Sequence, residues 1–254
     1  MKSWNMILVN GDSYSALTPK HRVYSEFMAE QLQIDCDNLS RIGSNNDRII
    51  RSTIEAVLHH VALGRRPLLI LGTSYVTRQE VWAGDLEPDL LDTSPQEAQR
   101  LWSMVQESYP IVGSNDQILP TITLDWISDR SQWRQQFRHQ VTYEYSAHKR
   151  LLDNYVMLFL LTRFLQSLQV PYIVFSAADN SAWSLNNYPA ISHLSAVKSV
   201  LADPHVIEMH TNCVKFWAQQ HDADCNPQTG HLSESGHRKY AARMINLIGE
   251  HHGS

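Results

Sequence analysis

The fold is decided by residues 6–15, which read MILVNGDSYS. The run is apolar up to Asn10 and stops at Gly11, a pattern that predicts a short buried strand over residues 6–10 and then a tight turn. Residues 19–32 follow with apolar side chains at helical spacing along one face. The chain therefore opens with a strand, a turn and a helix.

The same alternation continues along the chain. Ser44 and Asp47 fit a capping box and predict a helix over about residues 45–63. Alternating strands and helices predict an α/β fold, with a parallel sheet between two layers of helices. Further strands are predicted at residues 34–39, 67–71, 171–176 and 205–209, and further helices at residues 143–168 and 233–250.

The alternation stops between about residues 73 and 142. This segment is rich in Trp, Pro, Asp and Ser, with short helices predicted at residues 95–106 and 129–137. We interpret it as an insertion in a single domain spanning residues 1–254. It is either a cap that buries its own aromatic side chains or a lid that shapes a substrate site.

Composition excludes several classes of protein. The 254 residues are 43% hydrophobic with a net charge of −5, which excludes disorder and coiled coils and predicts no bulk attraction for nucleic acid or an anionic membrane. The three cysteines are far apart and favour a reducing compartment. No apolar run is long enough for a signal peptide core or a membrane span, so we expect a soluble, cytoplasmic protein.

Candidate chemistry lies where the predicted strands end, because ligands of parallel sheets bind outside the carboxyl ends of the strands. Ser13 follows the first strand, and its hydroxyl is a weak nucleophile that needs a base within hydrogen-bonding reach. His231, just before the last helix, is the candidate base. The structural alternatives are that Ser13 is a turn residue and that His231 only hydrogen-bonds at the start of a helix.

These segments carry a resemblance to a known family. Residues 11–15, GDSYS, resemble the first motif block of the SGNH/GDSL hydrolases, and Gly43 resembles the glycine of the second block. Residues 72–75, GTSY, fall where the family has Gly-x-Asn-Asp, and His231 with the following LSESGH resembles the block of the catalytic histidine. The pattern is also similar to SGNH-like proteins encoded by tailed bacteriophages, which carry such segments around a central insertion.

The resemblance implies a fold and a chemistry. The family has a flavodoxin-like three-layer α/β/α sandwich, and its members are mostly esterases, lipases and thioesterases that use no metal and no cofactor. Carried over to this chain, Ser13 is the nucleophile and His231 the general base. The backbone N–H groups of Ser13 and Gly43 are the oxyanion donors.

Two positions depart from the family pattern. Ser74 stands where the family has an oxyanion-binding Asn, so Ser74 itself, Asn45 or Asn46 is expected to supply that donor. Gln228 stands where the family has the acid that orients the histidine. Asp222, Asp224 or Gln228 itself is then the candidate to fill that role.

Four further residues are expected to contact substrate. Asp12 and Tyr14 flank Ser13 in the turn, and Tyr75 follows the third strand, where it could wall a pocket. Arg78 lies in an Arg-x-Glu segment similar to one near the site of the phage proteins.

The expected function is a serine ester hydrolase acting on a small ester or an acylated glycan. The alternative is a virion structural or glycan-binding protein that kept the fold and lost efficient catalysis, which would place it in a virion instead of the cytoplasm. The expected protein partners are further copies of this chain, in a homo-oligomer, or the other proteins of a virion.

Overall fold

A computed structural model of the 254-residue chain shows its architecture. The structure describes residues 4–42, 44–76, 80–82, 121–123, 147–177, 185–207, 213–221, 224–226 and 230–252.

The centre of the molecule is a parallel sheet whose four strands are β1 (Met6–Asn10), β2 (Asp35–Asn38), β3 (Pro67–Thr73) and β6 (Tyr172–Ser176). Their order across the sheet is β2-β1-β3-β6. The strands β1, β3 and β6 are buried throughout and mostly apolar, as expected for a parallel sheet covered on both faces. A separate antiparallel pair joins β4 (Glu80–Trp82) to β5 (Thr121–Thr123).

Helices connect the strands and cover the sheet. The long ones are α1 (Tyr24–Leu32), α2 (Asn46–Ala62), α3 (Ala147–Ser167) and the closing helix α7 (Glu234–His252). The described residues between β6 and α7 form a 3-10 turn and three short helices: the turn Leu185–Asn187, α4 (Pro189–Ser192), α5 (Ser195–Leu201) and α6 (Val214–Gln220).

Alternate residues of each strand supply two separate cores. On one face, Ile7, Val9 and Ile70 pack with side chains of α1, α6 and α7. On the other, Leu8 and Leu69 pack with side chains of α2, α3 and α5. The two-residue period of the strands thus produces a three-layer arrangement, and the predicted α/β class with a parallel sheet is confirmed at this level.

Several predicted boundaries move when the structure is compared with the sequence. The first helix was predicted from residue 19, but it begins at Tyr24. The Glu26 carboxylate accepts a hydrogen bond from the backbone N–H of Val23 at 2.8 Å and so caps the start of the helix there. Of the predicted fifth strand, residues 205–207 lie in the described part of the chain, and Val206 there forms a parallel bridge with Val174.

The prediction that Ser44 caps α2 is wrong. The cap is Asn45, whose side-chain oxygen accepts the N–H of Arg48 at 3.0 Å. The Ser44 hydroxyl instead accepts a hydrogen bond from the Arg48 guanidinium at 2.7 Å.

The insertion predicted at about residues 73–142 stays a prediction for most of its length. Its two predicted helices, residues 95–106 and 129–137, lie outside the described residues, and so does most of the segment. The expectation of a single domain over residues 1–254 likewise stays a prediction.

Candidate active site

The turn after β1 is tied to its neighbours by the side chain of Asn10. Its amide nitrogen lies 2.9 Å from the Ile49 carbonyl and 2.9 Å from the Thr53 hydroxyl, both on α2. Its amide oxygen accepts the N–H of Gly11 at 2.9 Å. These hydrogen bonds fix the position of the turn relative to α2.

Gly11 is required by a close approach inside this turn. A Cβ at this position would lie 2.9 Å from the Ser15 hydroxyl and 3.1 Å from the Gly72 carbonyl oxygen. Ser15 is buried and accepts a hydrogen bond from the Tyr24 hydroxyl at 3.0 Å. Of the two serines in GDSYS, Ser15 therefore faces the core, and Ser13 is the half-buried one.

Asp12 is fully buried and fastens the turn to the end of β3. One carboxylate oxygen accepts the N–H of Tyr14 at 3.1 Å, and the other accepts the hydroxyl of Ser74 at 2.9 Å. A buried carboxylate is tolerated only where hydrogen bonds replace its hydration. Asp12 thus fixes the turn that carries Ser13 to the residue that follows β3.

Ser13 and His231, 218 positions apart in the sequence, meet at this end of the sheet. The Nε2 atom of His231 lies 2.8 Å from the Oγ atom of Ser13. When Nε2 carries no proton, the serine hydroxyl donates to it, which is the arrangement that a general base requires.

A short hairpin presents His231 just before α7. Cys225 and Leu232 form an antiparallel bridge, and the N–H of Asn226 donates to the His231 carbonyl at 2.8 Å. Gly230 has a φ of 73°, a left-handed conformation that glycine adopts without strain. This glycine lets the chain turn back so that the next residue reaches Ser13.

The imidazole of His231 also stacks on the ring of Tyr14. The two ring centroids are 4.3 Å apart, and the planes are inclined by 8°. Tyr14 is only 4% exposed. Burial, with further contributions from Tyr75 and Asp12, raises the pKa of its phenol far above the ordinary value, so the ring stays neutral.

Tyr75 lies just after β3 and is half-buried, and its side chain is hydrogen-bonded to that of Tyr14. The structure therefore places Asp12, Tyr14 and Tyr75 around Ser13 and His231. Of these, Tyr14 and Asp12 are the more enclosed, which indicates a supporting position for both.

The three side chains expected to help bind an oxyanion all make internal hydrogen bonds, and Asn45 makes its bond as the cap of α2. The Ser74 hydroxyl directs its proton to Asp12. The Asn46 amide nitrogen lies within hydrogen-bonding distance of the Ser74 carbonyl, at 3.2 Å, and of the Asn154 side chain, and its oxygen accepts the N–H of Ser74 at 2.7 Å. In this arrangement they support the site from the side of α2 and β3.

Among the candidates for the acid, Asp224 is the one that lies in the described residues. Its Oδ2 accepts the Ser233 hydroxyl at 2.8 Å and the Ser235 hydroxyl at 3.2 Å, at the start of α7. Asp222 and Gln228 lie outside the described residues, and so do Gly43 and Arg78.

Sequence reasoning missed Asn154, whereas it predicted that His237 packs inside the last helix. Asn154, on the otherwise apolar α3, is buried and joins the Asn46 network, and its place in an apolar helix was the available signal. His237, on α7, is buried beside His21 and Tyr24. Burial, together with the charges of His21 and His231, lowers its pKa to about 4.

Comparisons with known proteins do not identify the chain. No known protein family matches it, and no curated protein sequence is similar to it. Within the described residues, no group of three or more His, Cys, Asp or Glu side chains is arranged to hold a metal ion. In the same part of the chain, no helix has the length and apolar character needed to cross a membrane.

Proposed function

We propose that this chain is a serine ester hydrolase in which Ser13 is the nucleophile and His231 is the general base. The observation that carries the proposal is the 2.8 Å separation between Ser13 Oγ and His231 Nε2. A hydroxyl in contact with an imidazole, on a turn at the carboxyl end of a parallel sheet, suits acyl transfer.

The proposed reaction has two halves. Ser13 Oγ attacks the ester carbonyl while its proton passes to His231 Nε2, and the same proton then leaves with the alcohol as the acyl-serine forms. Water, deprotonated by His231, next attacks the acyl carbon; the bond from this carbon to Ser13 Oγ breaks, the carboxylic acid leaves, and His231 returns the proton to Ser13 Oγ. We assign the oxyanion to the backbone N–H groups of Ser13 and Gly43, because the side chains of Ser74 and Asn46 already have partners.

We further propose that the chain is an SGNH/GDSL-type hydrolase. The strand order β2-β1-β3-β6, extended by the bridge to Val206, supports the flavodoxin-like arrangement of a doubly wound sheet. The first turn and the hairpin before the last helix supply the two reacting side chains, as the sequence motifs led us to expect. The substrate class is a small ester or an acylated glycan.

The compartment is part of the same proposal. Cys36, Cys213 and Cys225 are all free thiols, which supports a reducing compartment such as the cytoplasm.

One observation favours a second function, that of a binding protein without efficient catalysis. Ser74 and Asn46 are both held in internal hydrogen bonds, so neither side chain supplies an oxyanion donor in this arrangement. Loss of one such donor costs about 3 kcal/mol in the transition state. A virion protein that binds acylated glycans would tolerate that loss.

The test is hydrolysis of p-nitrophenyl acetate by the wild type and by Ser13→Ala. We expect kcat/KM to fall by at least about a thousandfold in the variant. Ser15→Ala is the matched control, because it removes a serine from the same turn whose hydroxyl faces the core. Equal rates for the wild type and Ser13→Ala would exclude Ser13 as the nucleophile. A wild type that binds an acylated glycan without turnover would favour the second function.

A further inference from the structure

We propose that Tyr14 is a positioning residue for the general base, with its ring face holding the His231 imidazole in the plane that aims Nε2 at Ser13. The inference rests on the proposed function and assigns Tyr14 a role other than the substrate contact expected from the sequence.

The geometry of the stack restricts the imidazole. The ring planes are inclined by only 8° at a centroid separation of 4.3 Å, so rotation of the imidazole out of this plane would drive its edge into the tyrosine ring. The Nε2 atom lies in the imidazole plane and reaches Ser13 Oγ at 2.8 Å. Holding the plane therefore holds the contact.

Tyr14 is itself rigidly placed. Its backbone N–H donates to the buried Asp12 carboxylate at 3.1 Å, and its phenol is hydrogen-bonded to Tyr75. Because Tyr14 directly follows Ser13, one turn supplies both the atom that the histidine must reach and the surface that orients it. A shift of this turn moves both together and preserves their relation.

The stack also suits the charge that catalysis creates. His231 becomes an imidazolium in the transition state, and the face of an aromatic ring attracts a cation. Asp224, which precedes His231 in the chain, has one carboxylate oxygen that accepts hydrogen bonds from Ser233 and Ser235. The face of the Tyr14 ring thus orients the imidazole and stabilises its positive charge, in addition to any hydrogen bond made by the Nδ1 atom of His231.

Several titratable groups lie around this pair. Asp12, Tyr75 and Cys213 raise the pKa of Tyr14, and His231 contributes to the lowered pKa of His237. Burial lowers the pKa of His237 to about 4 and raises that of Tyr14. Both therefore keep one charge state between pH 5 and pH 9, the range of the assay.

The test is the rate at which a fluorophosphonate labels the wild type, Tyr14→Phe and Tyr14→Leu. In this reaction a bond forms between Ser13 Oγ and phosphorus, the phosphorus–fluorine bond breaks, and the serine proton passes to His231 while fluoride leaves. We expect Tyr14→Phe to stay within about twofold of the wild type, because the ring face remains. We expect Tyr14→Leu to be slower by about three- to thirtyfold, the range that a cation–π contact supports.

A pH profile separates positioning from a general loss of structure. Without the ring face the imidazolium is less stable, so the acid limb of the Tyr14→Leu profile should move to lower pH by about half a unit. Tyr14→Met, which refills more of the space, replaces Tyr14→Leu if that variant does not fold. The matched control is Tyr172→Leu, a buried tyrosine beside His205 at the opposite end of the sheet, which should lower stability without changing the labelling rate.

The outcomes are distinguishable. A labelled wild type with an unchanged rate and unchanged profile in Tyr14→Leu would overturn the positioning role alone. A wild type that is not labelled at Ser13 would overturn the proposed function and the positioning role with it.

Discussion

Two groups of stacked rings, each with at least one histidine, lie at opposite ends of the sheet and make very different contacts. At the carboxyl end, His231 reaches the hydroxyl of Ser13 at 2.8 Å and stacks on Tyr14. At the amino end, His205 stacks on His252 with ring centroids 4.7 Å apart, next to the edge of Tyr172. Both groups consist of rings in face-to-face contact, so stacking alone does not mark a reactive site.

The difference lies in what the ring nitrogens reach. The Nε2 atom of His252 lies 3.0 Å from the Tyr172 carbonyl oxygen, which fastens the end of α7 to the start of β6. His231 Nε2 instead faces a half-buried hydroxyl on a turn after a strand. The histidine at the carboxyl end of the strands therefore contacts a side-chain hydroxyl, whereas His252 at the amino end contacts a backbone carbonyl.

The largest effect that would sharpen this comparison is expected from His231→Ala. If His231 is the general base, ester hydrolysis should fall by about a thousandfold or more. His205→Ala removes a stacked histidine from the other end and should leave kcat/KM unchanged. Kinetics on p-nitrophenyl acetate check both variants, and comparable losses in the two would remove the distinction between the two ends.

A second effect concerns stability in acid and comes from His237, which stacks on Tyr24. An unfolded histidine takes up its proton as the pH falls below about 6.5, whereas burial holds the pKa of His237 at about 4. The unfolded state therefore binds more protons in this window, so stability falls between pH 6.5 and 4 by roughly 2–3 kcal/mol and is unaffected above pH 6.5.

Urea unfolding at a series of pH values checks this prediction. His237→Leu should flatten the curve between pH 6.5 and 4. A smaller slope should remain, because burial also lowers the pKa values of His205 and His252. An identical slope in the wild type and His237→Leu would show that His237 contributes nothing to acid sensitivity.

The two glycines of α7 give a third contrast between its ends. A Cβ at Gly236 would overlap the carbonyl oxygen of Asp224 and lie 3.1 Å from the Leu232 side chain, whereas one at Gly249 would meet nothing within 4 Å. Gly236→Ala should destabilise the protein by about 1–3 kcal/mol, and Gly249→Ala should stabilise it by up to about 1 kcal/mol. Thermal unfolding measures both, and equal effects of the same sign would contradict this view of the packing.

The smallest effect is expected at the amino end itself. His252→Ala removes one hydrogen bond to the Tyr172 carbonyl and should cost about 1 kcal/mol of unfolding free energy. Activity should not change. A loss of hydrolysis in this variant with the fold retained would mean that the two ends of the sheet are coupled.

The central strands could be predicted from sequence because their chemistry is local. β1 has the predicted boundaries, and β3 and β6 are buried apolar runs that end within two residues of the prediction. The helix α6 was not predicted, because seven residues carry too little periodicity, and its Trp217 becomes informative only once packed against α7. The cap of α2 was misassigned by one residue, because Ser44 and Asn45 are both good caps and the choice depends on Arg48.

For the site, the motifs paired Ser13 with His231, and the structure brings these residues together. The stack of Tyr14 on His231 could not be predicted, because it depends on how the hairpin before α7 folds over the first turn. The internal bonds of Ser74 and Asn46 depend in the same way on α2, α3 and β3 meeting in space. Spacing along one chain carries little information about such contacts.

The central claim is that His231 activates Ser13, and the most direct test is mass-spectrometric mapping of the adduct left by a fluorophosphonate. We predict an adduct on the peptide that contains Ser13 in the wild type, and no adduct on it in His231→Ala over the same time. An adduct on another residue, or equal labelling of Ser13 in the two proteins, would contradict the claim.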